Sequence, residues 1–491
     1  MRIVIVGAGM VGHRLADELV RAAGAGASRA ADNRAGEDLR VILLGDEAHE
    51  PYNRVMLSEL LAGRIDLAGI ELPRLDPDRV RVHLDAPVRA IDPARREVVT
   101  DTDRIGYDHL VLCTGARPRI PDVPGLRDGL PGGAYAVRRV DDVRDISAAA
   151  LNARHAIVVG AGPLGVEVAC ALRHRGTAVS LLAPESAMLN RDLDEPVGEI
   201  VARTAGDLGI GFVSDAELVA VEADGGHVTA VRLADGRRVD CDLLVLACGA
   251  VPDTDLAARA GLPTDRGIVV DAQLRTGDPH VSAIGDCAQT PDGVSGLIAP
   301  GWAQARALAR RLLRGEPVGP IPIEGAAMRL KAVGMSVVTM GVRASTARDA
   351  DRVLVVDDRR ARRHVEVVVR AGTLVGLTCV GAPEMAARLA SQYDRPGIVP
   401  PDPLALLLAD APREANPSPT TMPSATTVCR CNGVTKGDLV HAWSDGCTSV
   451  DALVADTRAT SGCGGCRELV CGIARWLERS DPPLTASRLA A

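Results

Sequence analysis

The chain has 491 residues, 47% apolar and 24% charged, enough for about three ordinary globular domains. It has no run of 18 apolar residues, so no membrane-spanning helix is expected, and its net charge of −8 without a basic stripe argues against a nucleic-acid partner. Met1–Gly12 lacks the basic region and small-residue cleavage site of a signal peptide. Lys331 and Lys436 are the only lysines beside 54 arginines, which reads as genomic bias and not as function. Six of the twelve cysteines crowd the last 63 residues. That clustering points to metal or redox work in the cytoplasm, not to a disulfide framework.

In chain order, Arg2–Val6 reads as a strand, followed by Gly7-Ala8-Gly9-Met10-Val11-Gly12 and a helix to about Ala22. In this pattern Gly7 permits the tight turn, Gly9 lets a pyrophosphate approach the backbone, and Gly12 permits close helix–strand packing. The helix N-terminus supplies amide donors and a positive dipole. An Ala-, Gly- and charge-rich insertion, Ala22–Asp38, precedes a strand at Val41–Leu44. Asp46, with Glu47 as adjacent contender, then stands where an acid would hold a ribose hydroxyl. A second strand, Ala156–Val159, leads into Gly160, Gly162 and Gly165 of a second fingerprint, followed by Glu167. The next strand ends near Leu182; Ala183 occupies the usual acid position and Glu185 follows two residues later. NADH and NADPH both stay open, with a lean to NADH because Glu185 repels a 2′-phosphate. Further strands are expected at Leu110–Cys113, Leu243–Ala247 and Val281–Ile284. The alternation predicts an α/β fold with two Rossmann-like domains built on parallel sheets.

Residues 326–410 read as a small α+β domain, with strands at Val353–Val356 and Val365–Val369. The Pro/Ser/Thr-rich stretch 411–427 reads as a linker that lets the following module, 428–479, move. That module carries Cys429-x-Cys431 and, 31 residues on, Cys463-x-x-Cys466. Two close thiolate pairs suit a [2Fe–2S] cluster, and four cysteines alone equally suit Zn²⁺. Cys447 and Cys471 read as core.

With these motifs in place, the chain resembles the two-dinucleotide-binding flavoprotein reductases. Leu110–Ala116, Leu244–Gly249 and Ala283–Ala288 resemble that family's two crossover segments and its second FAD motif. The resemblance implies FAD on the first fingerprint, with Gly115, Gly285 and Asp286 at the flavin and Asp286 on a ribityl hydroxyl. It implies NAD(P)H on the second. It further implies that the FAD domain spans 1–118 and 246–325 around a NAD(P) domain at 119–245. Glu50–Ser58 resembles the FAD-proximal loop of NADH-dependent nitrite reductases, assimilatory nitrate reductase electron-transfer subunits and rubredoxin reductases, making Arg54 a flavin or pyrophosphate ligand. Glu59 replaces the Lys that many ferredoxin-type reductases carry there, which favours the nitrite/nitrate branch, as does Met328–Met335. The module at 428–479 resembles the bacterioferritin-associated-ferredoxin-like [2Fe–2S] domain, with Asn432–Thr435 matching its start and the four paired cysteines as ligands.

No redox C-x₄-C or C-x-x-C accompanies either fingerprint. Cys113, Cys170, Cys241, Cys248 and Cys379 read as core, and Cys287 has no partner cysteine nearby in sequence. The expected function is therefore a relay from NAD(P)H through FAD and the cluster to a partner reductase, foremost the molybdenum subunit of assimilatory nitrate reductase. The sirohaem and [4Fe–4S] region of a full nitrite reductase has no counterpart here, so nitrite reduction by this chain is not expected. Alternatives are a ferredoxin- or rubredoxin-type reductase, a nitrite reductase component, a subunit of an amino-acid-oxidising dehydrogenase, or a non-enzymatic iron or redox sensor. A homodimer is an open expectation.

Overall fold

A computed structural model describes residues 1–26, 39–321, 327–394, 399–400, 402–407, 419–420, 422–462 and 464–480. The chain divides into two compact units. The first comprises Met1–Arg191, Ala202–Ala326 and Lys331–Gly334; the second comprises Asp192–Val201, Ala327–Leu330 and Met335–Ala491.

The first unit holds two parallel five-stranded sheets. One is built from β1 (Arg2–Val6), β2 (Arg40–Leu44), β3 (Val80–His83), β4 (His109–Leu112) and a strand from far along the chain, Val281–Ala283. The other uses β5 (Ala134–Ala136), β6 (His155–Val159), β7 (Ala178–Leu182), β8 (Ile210–Val213) and β9 (Leu243–Leu246). With Val281–Ala283 as β10, the orders are β10-β4-β1-β2-β3 and β8-β7-β6-β9-β5. The central strands are continuous apolar runs because both faces of a parallel sheet are covered. Ile3, Ile5, Leu110 and Leu112 are fully buried in the first sheet, and Ile157, Leu181 and Leu244 in the second.

Helix α1 (Met10–Gly26) follows β1 and runs four residues past the expected end at Ala22. Most of the expected insertion, 27–38, lies outside the described residues. Helix α2 (Leu57–Leu61) follows the Glu50–Ser58 loop, α3 (Val140–Ala150) follows β5, and α4 (Pro163–His174) follows β6. Helix α5 (Ile298–Arg314) packs along α1.

In the second unit, β11 (Met328–Arg329), β12 (Val337–Gly341), β13 (Arg352–Asp358), β14 (Arg363–Arg370) and β15 (Thr373–Val380) form an antiparallel sheet in the order β11-β12-β15-β14-β13. Helix α6 (Pro383–Tyr393) packs on β15. The cysteine module contributes α7 (Lys436–Ser444), α8 (Val450–Thr457) and α9 (Arg467–Ser480) around Leu439, Leu453, Val470 and Ile473. Arg430, between two of the paired cysteines, ties this module to the end of α6. It pairs with Asp394 at 3.1 Å and lies 5.0 Å over the Tyr393 ring. Most of the expected linker, 411–418 and 421, lies outside the described residues.

Candidate functional site

The first fingerprint is a turn that closes only with glycine. Gly7 has φ +109°, and a Cβ on it would stand 2.1 Å from the Cys113 carbonyl oxygen. A Cβ on Gly12 would stand 2.0 Å from the Gly7 carbonyl oxygen. The turn is fixed by Gly7 N–H donating to Leu44 O at 2.8 Å. A cleft opens beside it, lined by Ala8, Gly9, Asp46, Glu47, Tyr52 and Arg54.

Charge is arranged around this cleft in three carboxylate–guanidinium pairs. Arg54 bonds the half-buried Glu47, whose other oxygen accepts the Tyr52 hydroxyl at 2.7 Å. Burial pushes the Tyr52 phenol up, so it stays a donor. Arg139 bonds Asp46, and Arg138 bonds Asp286 at 2.9 Å. Asp142 Oδ2 accepts from the backbone N–H of both Arg138 and Arg139 at 2.7 Å, fixing the entry to α3. Asp286 sits inside a 3₁₀ turn, Gly285–Cys287, and not at a helix N-cap. Gly285 N–H donates to Gln304 Oε1 of α5 at 2.7 Å, and Gly115 opens toward Arg138, 3.5 Å from where its Cβ would lie. Backbone amides without side-chain obstruction, three acids and three arginines fit a dinucleotide with its pyrophosphate and hydroxyls. Tyr52, Arg138 and Arg139 were not read from the sequence. The signal for the arginines is weak: a basic pair just ahead of the acidic turn Asp141-Asp142.

The second fingerprint repeats the geometry. Gly160 has φ +110°, with a Cβ position 2.4 Å from the Ala247 carbonyl oxygen, and the Gly165 Cβ position lies 1.8 Å from Gly160 O. Nothing lies within 4 Å of the Gly162 Cβ position, so this N-cap of α4 is open for a ligand. Ala183 is fully buried, leaving the partly exposed Glu185 as the nearer acid.

Glu167 is placed differently from the other fingerprint residues. It is buried, and its carboxylate accepts Ser58 Oγ at 2.6 Å, Lys331 N at 2.8 Å and Lys331 Nζ at 3.0 Å. Neighbouring Glu59 is buried too and pairs with Arg64 at 3.0 Å. Burial raises the Glu59 carboxyl, Arg64 and Lys331 oppose that rise, and Glu167 adds to it.

Cys113, Cys170, Cys241 and Cys379 are buried core thiols, and Cys248 is partly exposed. Burial pushes Cys170, Cys241 and Cys379 up to about 12 and Cys248 to about 11. Cys287 has no cysteine near it in sequence, but the fold brings Cys113 close to it. Its thiol donates to Leu112 O at 3.4 Å, and Cys113 follows Leu112 and feels the Cys287 charge. The sequence concealed this because β4 and β10 meet across 168 intervening residues. Both thiols are raised by burial, so neither is an activated nucleophile.

In the cysteine module, Cys429 and Cys466 are brought into hydrogen-bond contact. The Cys429 thiol is pulled down to about 6 by Cys466, against burial, with help from the amides of Asn432 and Thr460 and the Asn432 side chain. Asn432 Nδ2 lies 3.6 Å from Cys429 Sγ and donates to Arg458 O at 2.6 Å. Thr460 takes φ +70° to aim its amide. Donors converging on a buried sulfur are what an iron-bound thiolate uses, so these residues fit the cluster. Cys431 is partly exposed and packs against the module's core. Cys463 lies outside the described residues, and among the described residues no group of three metal-binding side chains is assembled.

Comparison with known proteins agrees with this geometry. The model of the pyridine nucleotide-disulphide oxidoreductase family matches residues 1–305, and that of the BFD-like [2Fe-2S] binding domain matches 427–474. Nitrite reductase [NAD(P)H] of Bacillus subtilis (strain 168) is 30% identical over 497 residues, covering 100% of this chain and 59% of that protein. The assimilatory nitrate reductase electron transfer subunit of the same organism is 29% identical over 493 residues, covering 99% and 61%. The chain thus spans 59% and 61% of the length of these two relatives. Among solved structures, a ferredoxin reductase from Rhodopseudomonas palustris superposes with TM-score 0.67 at 27% identity, covering 81% of this chain and 96% of that one. The reductase of a covalent putidaredoxin reductase–putidaredoxin complex gives 0.68 at 25%, covering 82% and 95%. The chain belongs to the pyridine nucleotide-disulphide oxidoreductase family, with FAD and NAD(P)H as its nucleotides and a C-terminal BFD-like [2Fe–2S] domain.

Proposed function

We propose that this chain oxidises NAD(P)H and hands the electrons to a separate acceptor in nitrate assimilation, the molybdenum-bearing catalytic subunit of a nitrate reductase, in the cytoplasm. The observation that carries the reading is the presence in one chain of two matching glycine turns and a cysteine module whose donors converge on Cys429. FAD, when bound, takes two electrons as hydride, and the cluster passes on one at a time.

The protein's part is binding and orientation. The α1 N-terminus and Arg54 serve the FAD pyrophosphate. Asp46 and Asp286 serve ribose and ribityl hydroxyls, and to do so they exchange Arg139 and Arg138, which are then free to face phosphate. Gly115 and Gly285 leave room for the flavin. The open N-cap of α4 at Gly162, with Gly160 and Gly165, receives the nicotinamide dinucleotide, and Glu185 disfavours a 2′-phosphate. Glu167 holds the α4 turn to Ser58 and Lys331, fixing one nucleotide loop against the other. Cys429, Cys431, Cys463 and Cys466 are the proposed cluster ligands, with Asn432 and Thr460 as amide donors to Cys429. Among the described residues no helix is long and apolar enough to cross a membrane.

The test is an anaerobic NADH titration of cluster-loaded protein followed by optical and EPR spectroscopy. Flavin bleaching followed by a reduced [2Fe–2S] signal is expected, and addition of the molybdenum subunit with nitrate should reoxidise both. Flavin that stays oxidised with NADH and NADPH would overturn the relay and bring the amine-oxidising reading forward. A second reading, the electron-input portion of a nitrite reductase, is favoured by the 30% identity to the Bacillus protein. Reoxidation by a sirohaem nitrite-reducing protein and not by the molybdenum subunit would select it.

A further inference from the structure

The α+β sheet ends at β13, and among the described residues no strand pairs with its outer edge. Its seven pairs with β14 run without a register shift. Protein sheets ordinarily blunt such an edge with proline, lysine, a bulge or a covering element. Between Arg352 and Asp357 this edge carries only Val353-Leu354-Val355-Val356, with neither proline, lysine nor bulge. Val353 is 38% exposed and Val355 and Val356 are each 50% exposed, whereas Val365, Val367, Val368 and Val369 of the adjoining strand are at most 7% exposed.

We infer that β13 pairs antiparallel with β13 of a second copy of this chain, about a two-fold axis through Val355. The order of charges selects both occupant and register. With the axis at Val355, Arg352 of each copy stands opposite Asp358 of the other, and Leu354 opposite Val356. Side chains directly opposite in an antiparallel pair share a face, so the neighbouring registers are shifts of two; these set Asp358 opposite Leu354, or Arg352 opposite Val356, and lose the ion pair. Opposite charges directly across are stabilising, and a two-fold axis counts each pair twice. Arg352 and Asp358 are both exposed. Arg352 reaches its own Asp402 only at 4.0 Å, and Asp358 commits Oδ1 to the Ala361 amide at 2.9 Å. The product is a ten-stranded sheet shared by two chains, with the valine run covered by its own copy.

The test is sedimentation velocity of the full chain over a concentration series, for the parent and for Val355→Lys, Arg352→Asp, Asp358→Arg and the double reversal Arg352→Asp/Asp358→Arg. The parent should dimerise reversibly. Val355→Lys sets two lysines together on the axis and should yield monomer. Each single reversal should weaken the dimer roughly tenfold, and the double reversal should restore it to within about threefold, because the pair is re-formed with its signs exchanged. Thermal melts by circular dichroism that match the parent show that these exposed substitutions leave the fold intact. A parent that is monomeric throughout overturns the inference. So does a dimer that survives Val355→Lys or is indifferent to the single reversals. A double reversal no tighter than the singles overturns the register and with it the choice of a second copy as occupant.

Discussion

Three donors converge on the Glu167 carboxylate, and the cation among them is one of the chain's two lysines. Lys331→Met should strip a buried carboxylate of its charge partner and cost about 3–5 kcal/mol, read as a lowered urea midpoint with unchanged slope. Glu59, next to Ser58, responds to pH with a definite sign. Burial raises its carboxyl above the ordinary 4.5, so the folded chain holds that proton more tightly than the unfolded chain. Its contribution is full below the unfolded value and is lost as pH climbs through the raised folded one. Glu59→Gln should therefore shrink the loss of thermal stability between pH 5 and pH 8; an unchanged loss would exclude Glu59 as its source. Neither residue's environment was legible in the sequence. Glu167 looked like part of a nucleotide fingerprint and Glu59 like a family departure, because the lysine that joins them lies 164 residues away. Arg138 and Arg139 were hidden for the same reason, whereas Asp46 and Asp286 stood in recognisable positions.

At the scale of elements, the glycine turns carry the sharpest expectations. A methyl at Gly12 or Gly165 would fall 2.0 or 1.8 Å from a carbonyl oxygen. Gly12→Ala and Gly165→Ala should each cost at least about 1–3 kcal/mol, with loss of bound flavin from the first and of nicotinamide affinity from the second. Gly162→Ala meets no atom within 4 Å. It should keep the melting temperature and still weaken NAD(P)H, since only the approaching ligand would meet the new methyl. In the cysteine module, Thr435 caps α7. Its hydroxyl accepts Asp438 N–H at 3.2 Å, and Asp438 Oδ2 in turn accepts the Thr435 N–H at 2.8 Å. Thr435→Ala should cost about 1 kcal/mol, measured on thermal unfolding. The buried strands were readable as apolar runs to within a residue or two, because a parallel sheet demands them. Val353–Val356 is an apolar run too, and the strand expected there forms the sheet's exposed margin. Apolar composition predicts extended structure there without saying which side is covered.

For the molecule as a whole, the proposed relay predicts separable losses. Cys429→Ser should remove or alter the [2Fe–2S] EPR signal while NADH still bleaches the flavin, because the two glycine turns and Cys429 belong to different compact units. Loss of flavin bleaching in that variant would contradict the order of the relay. The two nucleotide-type folds and the cysteine module were legible because each announces itself with a local pattern: two glycine fingerprints and two cysteine pairs. The attachment of the cysteine module was not. Arg430 is only the unnamed residue of Cys429-x-Cys431 in the sequence, and its bond to Asp394 makes it a tie to the α+β domain.

The first parallel sheet is completed by β10, which pairs with β4 across a span that holds the entire second sheet. On the ribosome, that outer strand emerges roughly 10–30 s after β4 at ordinary elongation rates. Gly285 and its Gln304 partner come later still. The second sheet has all five of its strands between Ala134 and Leu246 and can fold while the first is still open on one edge. The proposed flavin cradle is thus a late product of synthesis, and a chain truncated before β10 would have a finished second sheet and an unfinished first one.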